Sequence, residues 1–331
     1  MRDIDFVITW AGMDDGERTE YIRNCNDDNS DARDCRYRDW QFLKYWFRSI
    51  EKNADFYRYI YFVVKDDVPE WLDISNPKLK VIRHSDIIDS RYLPTFNNTT
   101  IEFNLANIKG LSEYFVYFND DVFVNRPLTP ENFFKSGLPV YSFGIRETSQ
   151  DDSVISNILR NTVAVINQNF KLSDTFKENG RKLLDLKNGV KTCFRTILTL
   201  CGCRNRFPGF KNDHVMMPML KSVFEEILEK EKDRITGNWQ KKFRDKADLS
   251  VTIVLIWECL QGKFVPVSSC DSKYYFISDN SINAVVEEIR SRNHARICLN
   301  DGPDVTDFEM AKKMILEAFE AVYPEKSSFE K

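Results

Sequence analysis

The sequence predicts an α/β fold in which a mainly parallel sheet is flanked by helices. Runs of β-branched and aromatic residues alternate with segments of helical periodicity as far as residue 145, the pattern of successive strand–helix–strand units. The 331 residues are 42% apolar, which is enough to bury a full core. We expect a single domain over 1–324, a mainly helical insertion at about 150–245 and a flexible tail at 325–331.

The first half of the chain supplies the strands of the predicted sheet. Four segments are rich in β-branched and aromatic residues: 3–10, 59–64, 79–82 and 114–118. Between the first two segments, apolar residues recur at helical spacing, namely Leu43, Trp46, Phe47 and Ile50. Because helical segments separate the strands, we expect the strands to lie parallel in one sheet.

The middle of the chain shows helical periodicity and few strand signals. Its segment 187–211 is locally basic and also carries the apolar run 197–200. The basic residues are Lys187, Lys191, Arg195, Arg204, Arg206 and Lys211. Two interpretations fit this segment: a helix lying on a membrane surface, or a helix packed on the core with a solvated basic face.

The last third returns to mixed strands and helices. An apolar helix is expected over 248–261, where Gly262 stops it. Three short strands are expected: 263–267, 274–277 and 296–299. A capping box at Thr306–Glu309 opens the final helix.

The charge of the chain argues against a nucleic-acid partner, and its hydropathy argues against a membrane span. The formal net charge of −4 provides no global positive field for a nucleic acid. No stretch approaches the ~20 apolar residues of a membrane span, and no signal-peptide pattern precedes the strand at Ile4. We therefore expect a cytoplasmic protein, with membrane contact limited to peripheral binding through 187–211 on the inner face of the cell membrane. The sequence leaves the oligomeric state open.

Several enzyme motifs are absent from the sequence. Without G-x-x-x-x-G-K-[ST] or G-x-G-x-x-G, a P-loop enzyme and a dinucleotide oxidoreductase are disfavoured, and no G-x-S-x-G elbow is present. Cys193, Cys201 and Cys203 could suggest a metal site, but no C-x-x-C pair accompanies them. The eight cysteines are therefore expected as free thiols in a reducing cytosol.

Acidic turns follow two of the expected strands, Asn119-Asp120-Asp121 and Asn300-Asp301-Gly302. In open α/β sheets, ligands bind outside the carboxyl ends of the strands. Carboxylates placed there suit Mg²⁺, which prefers oxygen ligands and can neutralise charge on a diphosphate. The alternative is a pair of ordinary turns built from Asn and Asp, which are common after strands.

His214 and Glu102 are further candidates for chemistry. His214 follows the irregular loop 208–213, so it is available as a general base near neutral pH, although a lone histidine is often only structural. Glu102 follows a dense run of Asn and Thr at 97–100, which indicates a site-lining loop that leads into a helix. The alternative is a helix N-terminus with Glu near its positive end.

Four segments, in order, carry a family resemblance. They are Ile4–Trp10 with Asp14, the long stretch from Arg36-Tyr37-Arg38-Asp39 to Tyr117–Phe123, Pro208-Gly209-Phe210 with His214 and Pro218, and Ile297–Asp301. Together they resemble the blocks of the Stealth family. That family covers bacterial capsule and cell-surface polysaccharide phosphotransferases and the catalytic part of animal lysosomal-enzyme GlcNAc-1-phosphotransferase.

The resemblance implies a Rossmann-like (GT-A-like) catalytic domain that moves a sugar-1-phosphate. A hexose-1-phosphate, either N-acetylhexosamine-1-phosphate or galactose-1-phosphate, would pass from a UDP-sugar to a hydroxyl of a saccharide, which is free or lipid-linked. The products would be a phosphodiester in a capsule or cell-surface polysaccharide and UMP. Two alternatives remain at this stage: a metal-dependent glycosyltransferase that releases UDP, and a non-catalytic carbohydrate-binding protein.

The resemblance also assigns residues. The catalytic positions are Glu102, Asp121, His214 and Arg244. The substrate-binding positions are Trp10, Asp14, Arg36, Arg38, Asn97 and Asn119. Mg²⁺, or Mn²⁺ in its place, would be held by Asp121, Asp301, Asp120 and Asn300. In this scheme His214 accepts the proton of the acceptor, Arg244 holds the diphosphate, and Glu102 either orients the histidine or binds a sugar hydroxyl.

Overall fold

A five-stranded sheet forms the centre of the computed structural model, which describes residues 3–10, 16, 19 and 38–331. The strands in chain order are β1 Ile4–Thr9, β2 Ile60–Val64, β3 Leu79–Arg83, β4 Tyr114–Asn119, β5 Val122–Val124, β6 Phe134–Lys135, β7 Leu138–Tyr141, β8 Met217–Leu220, β9 Val265–Pro266, β10 Ser272–Phe276 and β11 Arg296–Asn300. The central order is β3-β2-β1-β4-β8. The first four are parallel and β8 is antiparallel, so the predicted mainly parallel α/β fold is confirmed.

Helices cover the sheet and build the middle of the chain. Within residues 38–331, the α-helices are α1 Leu43–Asn53, α2 His84–Ile87, α3 Asn98–Phe103, α4 Val154–Asn169, α5 Leu172–Leu183, α6 Val190–Leu200, α7 Lys221–Lys230, α8 Lys232–Thr236, α9 Ile253–Leu260, α10 Ile282–Ser291 and α11 Phe308–Val322. None of these helices combines the length and apolar composition that crossing a bilayer requires.

The central strands are apolar on both faces because helices pack on both. Trp46 of α1 contacts Phe118 of β4 from one side, with ring centroids 5.4 Å apart. Phe224 of α7 stacks on Phe115 of the same strand, and residues 115 and 118 point to opposite faces. Covering both faces explains the nearly unbroken apolar runs from which the strands were predicted.

The expected helical insertion contains one strand that its sequence did not indicate. Helices α4 to α8 fill most of the region, but β8 interrupts them and pairs antiparallel with β4. This strand is short and contains Pro218, which an edge position tolerates because no further strand needs its missing N–H. Buried side chains of the insertion, such as Val165 and Ile166, belong to the same apolar core as the central sheet.

The expected flexible tail at 325–331 is instead docked on the first half of the chain. Phe329 is completely buried, and its ring lies 5.1 Å from that of Phe47. Glu330 accepts two hydrogen bonds from Arg48, both at 2.8 Å. The flexible-tail prediction was wrong because one aromatic anchor and one ion pair outweigh the polar character of the other residues.

Two helix boundaries also differ from expectation. The apolar helix begins at Ile253 rather than 248, because the backbone N–H of Asp245 bonds to the Asp248 carboxylate in a turn before it. The final helix is capped by Asp307, which accepts from the backbone N–H of Met310, whereas Thr306 donates to Asp279. The cap therefore lies one residue later than the predicted capping box.

Candidate active site

A cavity of about 750 Å³ lies at the carboxyl ends of the central strands. Residues from the ends of β1, β4 and β11, from α3 and from the loop before β8 line it. Its walls include ten residues that the sequence pointed to: Trp10, Arg38, Glu102, Asn119, Asp120, Asp121, His214, Arg244, Asn300 and Asp301. The structure thus brings most of the candidate residues together in one space.

The two acidic strand ends meet in this cavity. After β4 the chain turns through Asp120 and Asp121 into β5, which pairs antiparallel with β11. The backbone N–H of Leu299 donates to the carbonyl of Asp121 (2.8 Å), and the Asn300 amide donates to its carboxylate (3.1 Å). The turns Asp120-Asp121 and Asn300-Asp301, almost 180 residues apart in sequence, therefore lie together and form what we call the acidic corner of the cavity.

Asp121 has the features of a cation ligand. Its Oδ2 accepts from Asn300 and from the Cys298 thiol (3.4 Å), but its buried Oδ1 has no hydrogen-bond partner among the described residues. A buried carboxylate oxygen without a partner is unfavourable unless another group satisfies it. Ligand atoms of Asp121, His214 and Cys298 lie within 4.8 Å of one another, which is close enough for a shared metal ion.

The neighbouring carboxyl group, Asp120, also favours a bound cation. Burial, together with the neighbouring charge of Asp121, raises the pKa of Asp120 to about 7. Burial also raises the pKa of the Cys298 thiol, which therefore stays protonated and donates to Asp121. The charged form of Asp120 is therefore disfavoured, and a bound divalent cation would stabilise it.

His214 reaches Asp121 because of strand β8. Met217 of β8 pairs with Tyr117 in antiparallel register, so the loop before β8 arrives at the carboxyl end of β4. The backbone of His214 is left-handed (φ 45°), and its N–H donates to Asn212 Oδ1 at 2.9 Å. Its ring meets Tyr274 edge-on, with centroids 5.5 Å apart.

Glu102 is held at the cavity wall by polar neighbours. It lies in α3, which Asn97 caps by accepting from the N–H of Thr99 (3.0 Å). The Glu102 carboxylate accepts from Asn98 (3.0 Å) and from the hydroxyl of Tyr117 (3.2 Å). Burial raises the pKa of Glu102, and the nearby charge of Arg244 partly opposes this rise.

Arg244 lies on a loop that Asp248 organises. Its Nε donates to Asn98 Oδ1 at 2.8 Å, on the opposite side of the amide from Glu102. Asp248 accepts from the backbone N–H of Asp245 (2.7 Å) and from the side chain of Asn97 (2.9 Å). Asn97 is fully buried and does not line the cavity. It stabilises the Arg244 loop instead, through its hydrogen bond to Asp248.

Arg38 and Asp301 form a two-point ion pair at another wall. Arg38 donates from Nε at 2.9 Å and from Nη2 at 2.6 Å, and it also donates to the carbonyl of Gly302. Its guanidinium lies 4.8 Å from the centre of the Phe308 ring. Two further predicted substrate-binding residues, Asp14 and Arg36, lie outside the described residues.

The remaining predicted positions lie at strand ends. Asn119 is the last residue of β4 and faces the cavity. Trp10 follows β1 and stacks on Phe62, with ring centroids 5.8 Å apart and planes inclined by 28°. Trp10 therefore adds one aromatic ring to the lining of the cavity.

Two further residues of the cavity wall, His84 and Lys65, were not among the predicted site residues. His84 follows β3 directly and lines the cavity together with Lys65, which follows β2. The His84 imidazole is buried, and within the part of the chain that the structure describes its Nδ1 has no hydrogen-bond partner. Burial, aided by the charge of Lys65, lowers its pKa to about 4. Its place at the carboxyl end of a predicted strand was the signal that could have identified it.

Comparisons with known proteins agree with the resemblance. Residues 36–140 match the profile described as Stealth protein CR2, conserved region 2. The capsular polysaccharide phosphotransferase WcwK of Streptococcus pneumoniae is 36% identical over 100% of this chain and 99% of its own. The exopolysaccharide phosphotransferase cps2G of Lactiplantibacillus plantarum is 33% identical over 99% and 96%.

Two solved glycosyltransferase structures also align with most of the chain. Mouse xyloside xylosyltransferase 1 aligns over 90% of this chain and 97% of its own, with 12% identity and a TM-score of 0.36. Galactosyltransferase LgtC aligns over 96% and 95%, with 14% identity and a TM-score of 0.35.

Proposed function

This chain belongs to the Stealth family of polysaccharide phosphotransferases, and we propose that it transfers a hexose-1-phosphate from a UDP-sugar to a saccharide hydroxyl. The transferred unit would be N-acetylhexosamine-1-phosphate or galactose-1-phosphate, and the acceptor a free or lipid-linked saccharide. The products are UMP and a phosphodiester in a capsule or cell-surface polysaccharide.

One observation carries this proposal, the placing of His214 against Asp121 in a chain related over its full length to such enzymes. A general base and a cation-binding carboxylate within 4.8 Å suit an attack on phosphorus. The reaction needs a cation beside the diphosphate and a proton acceptor for the incoming hydroxyl. The acidic corner supports the first role, and His214 supports the second.

The proposed step forms one bond to phosphorus and breaks one. The acceptor oxygen attacks the β-phosphorus of the UDP-sugar while His214 accepts the hydroxyl proton. The bond from the β-phosphorus to the bridging oxygen breaks, and UMP leaves with that oxygen. The sugar C1–O bond stays intact, so the new linkage is a phosphodiester.

Cationic and polar side chains of the chain position the reactants. Arg244, fixed by Asn98, offers planar N–H donors to phosphate oxygens. Arg38 also lines the cavity, where it pairs with Asp301. When the donor binds, some of its N–H groups would turn from Asp301 to a phosphate oxygen. Glu102 orients the histidine or accepts from a sugar hydroxyl, and Asn119 and Trp10 border the donor.

The acidic corner fits a divalent cation, which we propose to be Mg²⁺ or Mn²⁺. The Oδ1 of Asp121, which has no partner among the described residues, is the best-placed ligand. Asp120 and Asn300 would add oxygens from the same wall, and Asp301 would do so once Arg38 releases its carboxylate. Such an ion would neutralise the negative charge that develops on the diphosphate.

Analysis of the released nucleotide tests the proposal. Purified protein with Mg²⁺ or Mn²⁺, a panel of UDP-sugars and oligosaccharide acceptors should release UMP, and phosphorus NMR of the product should show a phosphodiester. Release of UDP would instead identify glycosyl transfer. His214→Ala should slow transfer by about 10²–10⁴-fold with donor affinity nearly unchanged, because it removes only the proton acceptor.

The control for this variant is His294→Ala, since His294 lies outside the cavity and bonds to Glu288. It should retain transfer. If His214→Ala kept most of its rate, the assignment of the base would be wrong, whatever nucleotide is released.

A further inference from the structure

Helix α6 presents apolar side chains to solvent rather than to the core. Val190, Phe194, Ile197 and Leu198 are 69%, 61%, 48% and 57% exposed, and Leu186 in the preceding turn is 66% exposed. Positions 190, 194, 197 and 198 share one face of a helix. An ordinary surface helix turns such a face inward, so this helix has the reverse arrangement.

The packing of α6 holds this arrangement in place. The side chains on its inner side are small and mostly polar. Thr196 Oγ1 accepts from the backbone N–H of Ile145 at 3.1 Å, and Cys193 is buried. The turn before it is fixed by Asn188, which accepts from the N–H of Phe143 at 2.9 Å. Because the inner side carries these bonds, the apolar side cannot turn inward without losing them.

The charged residues of the segment 186–206 all have one sign. Lys187, Lys191, Arg195, Arg204 and Arg206 are exposed, and 186–206 contains no Asp or Glu, although the whole chain carries −4. Lys191 and Arg195 are one helical turn apart and border the apolar face on one side. An apolar stripe with a basic border complements an anionic surface that has an apolar layer beneath it.

We propose that this face, α6 with the flanking bases, docks on the surface of a bilayer that contains anionic lipids. The apolar side chains would enter the boundary between headgroups and acyl chains, and the bases would bind lipid phosphates. A protein partner fits less well, since an 11-residue helix is only about 16 Å long and stable protein interfaces bury about 800 Å² per partner. The face lies outside the cavity lining, so this inference does not rest on the proposed reaction.

Flotation of the full chain with lipid vesicles tests the inference. Wild-type protein should float with vesicles of phosphatidylcholine and phosphatidylglycerol in equal parts, and much less with phosphatidylcholine alone. Phe194→Ser with Leu198→Ser should weaken binding about 30-fold, because the apolar insertion is lost. Lys191→Gln with Arg195→Gln should weaken it by a similar factor, since each base near an anionic surface contributes about fivefold.

The matched control is Ile74→Ser, because Ile74 and Leu198 are both 57% exposed but Ile74 is remote in sequence from α6. This variant should float like the wild type. The inference is overturned if the wild type does not bind anionic vesicles, or if the α6 variants bind them as well as the control does. It is also overturned if the apolar substitutions abolish only self-association, as sedimentation velocity would show, because the face would then be a protein contact.

Discussion

Asn98 joins two side chains to which the family resemblance assigns chemistry. Its amide nitrogen donates to Glu102, and its amide oxygen accepts from Arg244. An arginine can only donate, so the orientation of the amide is fixed by its partners. A single residue thus sets the spacing between a carboxyl group whose pKa is raised by burial and the cation that opposes this rise.

His84 leads to a prediction about pH at the same scale. Its folded-state pKa is about 4, below the ordinary value of 6.5, because burial and Lys65 disfavour the charged form. Below pH 6.5 the unfolded chain therefore binds a proton that the folded protein does not, and stability falls as the pH drops from 6.5 towards 4. At pH 5 this group should lower the free energy of unfolding by roughly 2 kcal/mol relative to pH 8.

The comparison variant is His84→Gln, measured by urea unfolding at both pH values. At pH 8 it should differ from the wild type only by altered packing. Between pH 8 and pH 5 its free energy of unfolding should fall by less than that of the wild type. The difference should equal the roughly 2 kcal/mol that the imidazole contributes. Equal losses in the two proteins would contradict the neutral, buried state of His84.

The docked C-terminal segment is the element with the clearest consequence for stability. Phe329 is fully buried against Phe47 and Tyr57, which belong to the core of the first half. Phe329→Ala should lower the free energy of unfolding by about 3–5 kcal/mol, because it removes a large buried ring and leaves a cavity. Denaturant unfolding measures this change directly.

An exposed neighbour provides the control for the C-terminal segment. Glu325→Ala changes the same segment at an exposed position and should stay within about 0.5 kcal/mol of the wild type. A loss below 1 kcal/mol for Phe329→Ala would mean that the segment is not docked in solution.

Elements with strong local patterns could be predicted from the sequence, and those fixed by distant partners could not. Strands β1 to β4 are apolar runs bounded by turns, and α1 has a regular apolar stripe. Strand β8 has no such signal, since only its pairing with β4 makes Met217–Leu220 extended. Phe329 likewise looks like one aromatic residue in a polar tail until its site on the core is known.

The same limit applied to the candidate site. The acidic turn at Asp120-Asp121 could be predicted because it follows a strong strand at the edge where ligands bind. The approach of His214 depends on β8, and the support given by Asn97 depends on Asp248, 151 residues away. Local pattern does not encode such contacts, and the resemblance named the residues without their geometry.

At the scale of the whole molecule, the cavity joins segments from the beginning, middle and end of the chain. Glu102, His214 and Asn300 line one space although they lie in the first third, the middle and the last tenth of the sequence. A ligand that bridges these segments is bound only by the folded chain. Its binding free energy therefore adds to the stability of the entire fold.

This coupling predicts a thermal shift that depends on Asp121. Mn²⁺ with UDP at about 100 times the dissociation constant should stabilise the fold by roughly 2.7 kcal/mol. For a chain of this size, that corresponds to a rise in Tm of several degrees, measurable by scanning calorimetry. Asp121→Asn should remove most of the Mn²⁺-dependent part of the shift, because it withdraws a charged oxygen ligand from the acidic corner.

Two comparisons separate loss of the ion from loss of the fold. Asp89→Asn removes a carboxylate outside the cavity, one that pairs with Arg91, and should keep the full shift. Without Mn²⁺, Asp121→Asn should be at least as stable as the wild type, because it relieves the repulsion that raises the pKa of Asp120. An Asp121→Asn protein that still shows the Mn²⁺-dependent rise in Tm would locate the cation elsewhere, and the partnerless oxygen of Asp121 would then need a different explanation.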